Sequence, residues 1–179
     1  MLSKKMTTAL NSQINAEMYS SYLYLAMSAW LTDEGLPGAA KWMALQVREE
    51  IFHAQKFFNH ILDRGGKITL APIEAPAAKW KTPLEIFEAA HAHEQKVTAL
   101  LNNLMNLART ENDHASELFL GWFITEQVEE EATAQETARK FKLAAGQGAA
   151  LFLIDRDLGD RALNPEVKNA LTGTPAATD

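Results

Sequence analysis

Cysteine is absent from the 179 residues. That one absence excludes disulfide scaffolds, thiolate zinc sites, thiolate-held iron–sulfur clusters and cysteine nucleophiles. Proline and glycine are sparse, at 6 and 9 residues, so few points along the chain can break a helix. Positive charge is in deficit: 17 Lys and Arg against 23 Asp and Glu leave a net charge of −6. Binding nucleic acid requires cations that neutralise phosphate, so no nucleic-acid partner is expected. Long apolar runs are missing too. The longest, Leu118 to Ile124 with Gly121 counted, is too short to cross a bilayer, and no membrane association is expected. The opening MLSKKMTTALNSQ has neither the apolar stretch nor the cleavage site of a secretory leader, so a cytoplasmic location is expected. The length suits one domain that can bury a core without covalent staples.

What the chain does contain is long stretches without a helix breaker. Asp33-Glu34-Gly35-Leu36-Pro37 reads as a stop followed by a start, with Pro37 suited to a first helical turn. Gly65-Gly66 is a stop. Thr82-Pro83-Leu84-Glu85 carries a capping Thr, a first-turn Pro and a capping-box Glu. Asn112-Asp113 and Gly146-Gln147-Gly148 are further breaks, and Asn164-Pro165 reads as the end of the last organised piece. The marks predict helices at about 5–33, 37–64, 83–110 and 113–143, and a shorter one at 148–160. No strand alternation of useful length is present. The first and third connections are short, so each joins antiparallel neighbours. The second, residues 65–82, can extend about 60 Å and so run the length of a bundle. The predicted fold is all-α: a four-helix bundle of two antiparallel hairpins joined by one long crossover, plus a short fifth helix.

Four buried seams follow from the three- and four-residue spacing of apolar positions. They run Leu10, Ile14, Glu17, Ser21, Tyr24 in the first helix and Met43, Val47, Glu50, Ala54, Phe57 in the second. The third has Phe87, Ala90, Glu94, Val97, Leu101, and the fourth Leu120, Phe123, Gln127, Glu130, Ala134. Each seam is interrupted by an acid near its middle. Helices of equal length align at their midpoints, so Glu17, Glu50, Glu94 and Glu130 should converge at one level. Four buried carboxylates repel, and each costs several kcal/mol to desolvate. Divalent cations relieve that cost. Glu50-x-x-His53 adds an imidazole one turn on and about 60° around the helix. Four Glu and one neutral His can hold two divalent ions with charges cancelled, a donor set suited to Fe or Mn, with Zn able to compete.

The residues that carry a family resemblance are Glu17 in NAEMYSSYLYL, Glu50 and His53 in REEIFHA, Glu94 in HEQKV, and Gln127 with Glu130 in TEQVEEE. On these the chain resembles bacterial non-haem ferritins, within the ferritin-like di-iron carboxylate family, over residues 1 to about 165. The resemblance implies that Glu17, Glu50 and His53 bind a first iron. It implies that Glu50 bridges to a second iron held with Glu94 and Glu130. Gln127 resembles the family's site-lining glutamine. Tyr24 matches a tyrosine beside the centre, where a redox role and plain core packing both remain open. Glu49, Glu126 and Glu129, sharing Glu130, match an adjacent third iron site; a solvated charge run is the alternative. Bacterioferritins bind haem through a Met directly after the bridging Glu. Here that residue is Ile51, so no haem is expected.

What the resemblance implies is iron storage and detoxification. Fe(II) would be oxidised by O2 or H2O2 at the two-metal site, and ferric mineral kept in a 24-subunit octahedral cage. The domain is expected over 1–165 and a flexible tail over 166–179. Leu23, Leu25 and the 151–154 run of Leu, Phe, Leu and Ile are surplus apolar residues expected to lie between subunits. Two rivals use the same residues differently: a soluble di-iron oxidase or peroxidase without storage, and a structural bundle whose interior glutamates are protonated.

Overall fold

Several of the predicted breaks find a local cause in the computed structural model, which describes residues 1–144 and 147–172. Within them lie α1 (Lys4–Asp33), α2 (Pro37–Asp63), α3 (Pro83–Thr110), α4 (His114–Leu143), α5 (Gly148–Gly159) and α6 (Pro165–Thr172). No strand is present among the described residues. Ser3 caps α1, its Oγ accepting from Met6 N at 3.0 Å. Thr82 caps α3 by accepting from Glu85 N, while Glu85 reaches back to accept from Lys81 N at 2.8 Å. Asp113 caps α4 through Ser116 N. The two tight turns each place one residue in the left-handed region: Gly35 at φ 74° and Asn112 at φ 55°. Both residue types tolerate that conformation. Gly146, part of another predicted break, lies outside the described residues.

Contacts at the two ends of the bundle set the topology. Trp42 of α2 meets Phe87 of α3 at 5.5 Å, and Phe87 stacks on Phe141 of α4 at 4.8 Å, so the start of α2, the start of α3 and the end of α4 share one end. At the other end, Arg64 pairs with Asp113 at 2.8 Å and His60 stacks on Phe119. The crossover between α2 and α3 runs along α1. Asn11 donates to Lys67 O and accepts from Thr69 N; Asn15 donates to Ala71 O and Pro72 O. Near its far end, Trp80 meets Trp30 edge to face. These contacts give two antiparallel hairpins and a connection that spans the bundle.

The core is divided in two. One apolar half centres on Met27, Leu31, Met43, Phe87 and Phe141. The other centres on Leu10, Phe57, Leu101, Leu120 and Phe123. The predicted seams supply both, and their acids fall in the belt between them. Leu23 corrects one expectation: it lies in its own subunit's core, whereas Leu25 and Phe152 are exposed. The expected tail is corrected in part as well. Asn164-Pro165 starts a helix instead of ending one. Asn164 Oδ1 accepts from Glu166 N, Pro165 occupies the first turn, and α6 buries Val167. Residues 173–179, the rest of that expected tail, lie outside the described ones.

α5 docks on α2 through a close backbone approach. α2 has no capping side chain of its own. Asp155 of α5 supplies one, accepting from Ala39 N at 2.8 Å. A Cβ on Gly38 would meet Asp155 O at 1.8 Å, so the approach requires glycine. Gly38→Ala should weaken α5 docking by about 1–3 kcal/mol, the usual cost of overpacking. Hydrogen exchange of the α5 amides is the measure: they should exchange faster while mid-bundle amides stay protected. Unchanged α5 protection would refute the close-approach argument.

Candidate metal centre

Four helices deliver their mid-seam side chains to the belt between the half-cores. Glu17, Glu50, His53, Glu94 and Glu130 are all buried there, each no more than 9% exposed. One ligand atom from each of Glu17, Glu50 and His53 lies within 4.8 Å of the other two. His53 Nδ1 stands 3.6 Å from Glu50 Oε2, the i,i+3 relation read from the sequence. Aromatic edges from Trp122 and Phe123 pack against the His53 ring at 5.5 and 5.6 Å and limit its rotation. Tyr24, Glu94, Gln127 and Glu130 form the other side of the belt. Glu94 and Glu130 both act electrostatically on Glu50.

Neutral donors orient the carboxylates. Gln13, one turn before Glu17, donates to Glu17 Oε1 at 2.9 Å. Gln46 donates to Glu130 Oε2 at 2.7 Å. Gln127 donates to Glu94 Oε2 at 2.6 Å, and the Tyr24 hydroxyl donates to Glu94 Oε1. Tyr24 is therefore more than core filling: it fixes one Glu94 oxygen while Gln127 fixes the other. Glu17 Oε2 and Gln46 Oε1 are buried with no hydrogen-bond partner among the described residues. An unpartnered buried carboxylate oxygen beside an imidazole and a second carboxylate suits a hard divalent cation. Gln13 and Gln46 were not singled out from sequence. Their only signal is a four-residue spacing ahead of Glu17 and Glu50.

Burial governs the titration of the belt. Glu17 is held well above the usual carboxylate range, first by desolvation and then by the charge of Glu50. Glu50 is raised by desolvation and then by Glu94 and Glu130. Desolvation followed by Glu94 and Glu49 pushes Glu130 up to about 7. For Glu94, desolvation outweighs the lowering supplied by Tyr24 and Gln127. Desolvation and the Glu94 charge also raise Tyr24, which keeps its proton. Metal-free, the belt retains protons that a bound cation would replace.

The second acidic set is arranged differently. Glu49 is buried, Glu126 half-buried and Glu129 exposed. With Glu130 they line a cleft of about 140 Å³, together with Arg161 and Asn164. Arg161 Nη2 donates to Glu49 Oε2 at 2.6 Å, and Asn164 Nδ2 donates to Glu126 Oε1 at 3.0 Å. Sequence reading missed both partners. They lie 112 and 38 residues from the acids they meet, with no local spacing to betray them.

Comparison with known proteins agrees with the fold that carries this belt. The ferritin-like domain family matches residues 7–144. The bacterial non-heme ferritin of Bacteroides fragilis is 45% identical over 161 residues, covering 90% of this chain and all of the relative. A probable bacterial non-heme ferritin-like protein of Haemophilus influenzae is 38% identical, covering 89% of this chain and 97% of the relative. Among solved structures, an engineered closed form of the Archaeoglobus fulgidus ferritin superposes with a TM-score of 0.90 at 42% identity. It covers 92% of this chain and 100% of that one. The open-pore ferritin of the same archaeon gives 0.89 at 42% identity, covering 90% and 100%. A mid-bundle carboxylate belt with one imidazole, on this topology and at these identities, makes the chain a member of the ferritin family.

Proposed function

We propose that the chain stores iron, oxidising Fe(II) at the belt and keeping the ferric product inside a closed shell of about 24 copies, in the cytoplasm. The observation that carries this reading is the convergence of Glu17, Glu50 and His53, with Glu17 Oε2 unpartnered, between two apolar half-cores. Exposed apolar residues such as Leu25, Phe152 and Leu153 supply surface for contacts between copies.

Fe(II) is the substrate here. Glu17, Glu50 and His53 receive one ion; Glu50, Glu94 and Glu130 receive a second. The carboxylates surrender their protons as the ions bind, and their oxygen-rich donor set favours the ferric state. Two Fe(II) supply two electrons, which reduce O2 to H2O2 or H2O2 to water. Gln127 and Tyr24 hold Glu94, and Gln46 holds Glu130, so that both carboxylates keep one orientation as charge changes at the site. Glu49, Glu126 and Glu129, with Glu130, would take a third ion beside the pair.

Aerobic addition of about 50 Fe(II) per chain to the metal-free protein, far above the two-metal capacity of a four-helix carboxylate site, tests the reading. Gel filtration should then show tens of irons per chain co-eluting with an assembly of about 24 chains of 19.8 kDa. About two or three irons per chain on a small oligomer would reject storage and leave a di-iron oxidase.

Gln46→Leu should lower metal affinity or oxidation rate by about 10–100-fold, the usual loss when a group that orients a ligand is removed. A change under about twofold in stopped-flow oxidation would deny Gln46 that role.

The belt's share of the pH response of the metal-free protein has a definite sign, while His93, lowered to about 4 by burial, and His60, also lowered by burial, act oppositely below about pH 6.5. Glu130 titrates at about 7 in the fold and near 4.3 when unfolded. Its protonated form favours the folded state, so its contribution is complete below about pH 4 and is lost as pH rises through about 7. Glu17, Glu50 and Glu94 act in the same direction. Asp113, lowered by Ser116 and Arg64 against a burial that raises it, acts only in acid below this window. Calorimetry of the metal-free protein should show Tm falling from about pH 6.5, above which the histidines no longer oppose the belt, to about pH 8, and Zn(II) should abolish the fall. A metal-free Tm that rises across this window would contradict the protonated belt.

A further inference from the structure

The third carboxylate position already holds a positive charge, and that charge belongs to the chain. Arg161 lies in the irregular connection between α5 and α6. Its Nη2 donates to Glu49 Oε2 at 2.6 Å, and its Nη1 points at Trp42 O at 3.4 Å. The guanidinium carbon sits 4.6 Å over the Trp42 ring. Asn164 completes the contact: its backbone N faces Glu49 Oε1 at 3.4 Å, and its Nδ2 reaches Glu126 Oε1. Both oxygens of Glu49 and one of Glu126 are therefore engaged by donors from one five-residue segment, 160–164.

A guanidinium cannot shed its proton under ordinary conditions. Its charge therefore stays at Glu49 as long as the side chain does. The Glu49 side chain is 4% exposed and that of Arg161 22%, so solvent screens the pair only in part. A divalent ion bound through Glu49 would have to share this one carboxylate with the guanidinium, either at Oε2, which Arg161 Nη2 holds, or at Oε1, which Asn164 N faces. Two cations cannot both occupy that position without strong repulsion. Arg161 is also removable in a way that the belt residues are not. It projects from a connection outside the four-helix bundle, and its head group borders solvent.

We propose that Arg161 is a displaceable, tethered cation of the third carboxylate position, so that a divalent ion enters there only by expelling the guanidinium. The inference rests on the two-metal reading of the neighbouring belt and adds a competitor to it. Occupancy of the third position is then tied to movement of the α5–α6 connection. The first two ions bind without that movement, and the third binds more weakly than Glu49, Glu126 and Glu130 would hold it alone.

Calorimetric titration of the full-length metal-free protein with Zn(II), a redox-inert probe, tests this. The natural chain should bind two ions tightly and a third weakly. Arg161→Gln should tighten the third by about tenfold, as expected when one charge-assisted competitor is lost. Arg161→Lys, which keeps a competing cation, should stay near the natural value. Adding Glu49→Gln to Arg161→Gln should abolish the gain. Equal third-ion affinity in the natural chain and Arg161→Gln would overturn the proposal. Loss of the two tight ions in every chain would instead reject the belt reading, while the third-ion comparison would still decide the role of Arg161. If Arg161→Gln does not fold, crystals of the natural protein soaked at Zn(II) concentrations that saturate the third ion give the answer. Zinc on Glu49 with the guanidinium moved away supports displacement, and zinc on Glu49 with the Arg161 contact intact refutes it.

Discussion

Desolvated negative charge at the middle of the bundle is the constraint on which the rest of the structure depends. A four-helix bundle gains most of its stability from a continuous apolar seam, yet here each seam gives up its centre to an acid. The two half-cores must then act as separate clamps, one at each end of the belt. Their aromatic stacks, Phe87 on Phe141 and Phe57 on Phe123, lie on opposite sides of the carboxylates. The clamps hold the helices in register on either side of the carboxylates. Within the belt the chain uses amides and a phenol, not lysines or arginines, to orient the acids. Neutral donors fix direction without cancelling the charge that a metal must meet.

The same logic separates the belt from the outer acidic set. Glu17 and Glu94 face Gln13, Gln127 and Tyr24; Glu49 faces Arg161. One group of carboxylates is kept electrostatically unsatisfied and the other is compensated. Glu130 stands between them, held by Gln46 from the belt side and bordering the outer cleft. It thus borders both the belt of uncompensated carboxylates and the cleft that already has a cation.

Most of the bundle was legible in the sequence because its determinants are local. Ser3, Thr82 and Asp113 cap helices whose starts need only a few neighbouring residues to specify. The seams around Leu10, Phe57, Leu101 and Phe123 follow from spacing alone. The mid-seam acids could be placed at one level because the four helices have nearly equal lengths. What escaped was non-local. Nothing near Arg161 announces Glu49, and the tertiary cap from Asp155 to α2 is invisible until α5 is docked. Asn164-Pro165 misled for a different reason. The same dipeptide can close one element or open the next, and only the burial of Val167 decides which.

Glu49 and Glu50 are consecutive residues of α2 that look into different compartments. Their separation in direction is the fixed turn of the helix, about 100° for a rise of about 1.5 Å. One residue inserted into the helix ahead of them would turn Glu49 to where Glu50 stands and Glu50 out to the exposed position of Ile51, and misalign His53 as well. Helix α2 can therefore change by substitution but not by length. The 64–82 crossover, held along α1 by two asparagines and one tryptophan contact, has no comparable register to keep between those points. Over evolutionary time, insertions and deletions should accumulate in the crossover and be purged from the helices. The family's variation in length would then map the metal centre from outside, as the stretch of sequence where none is tolerated.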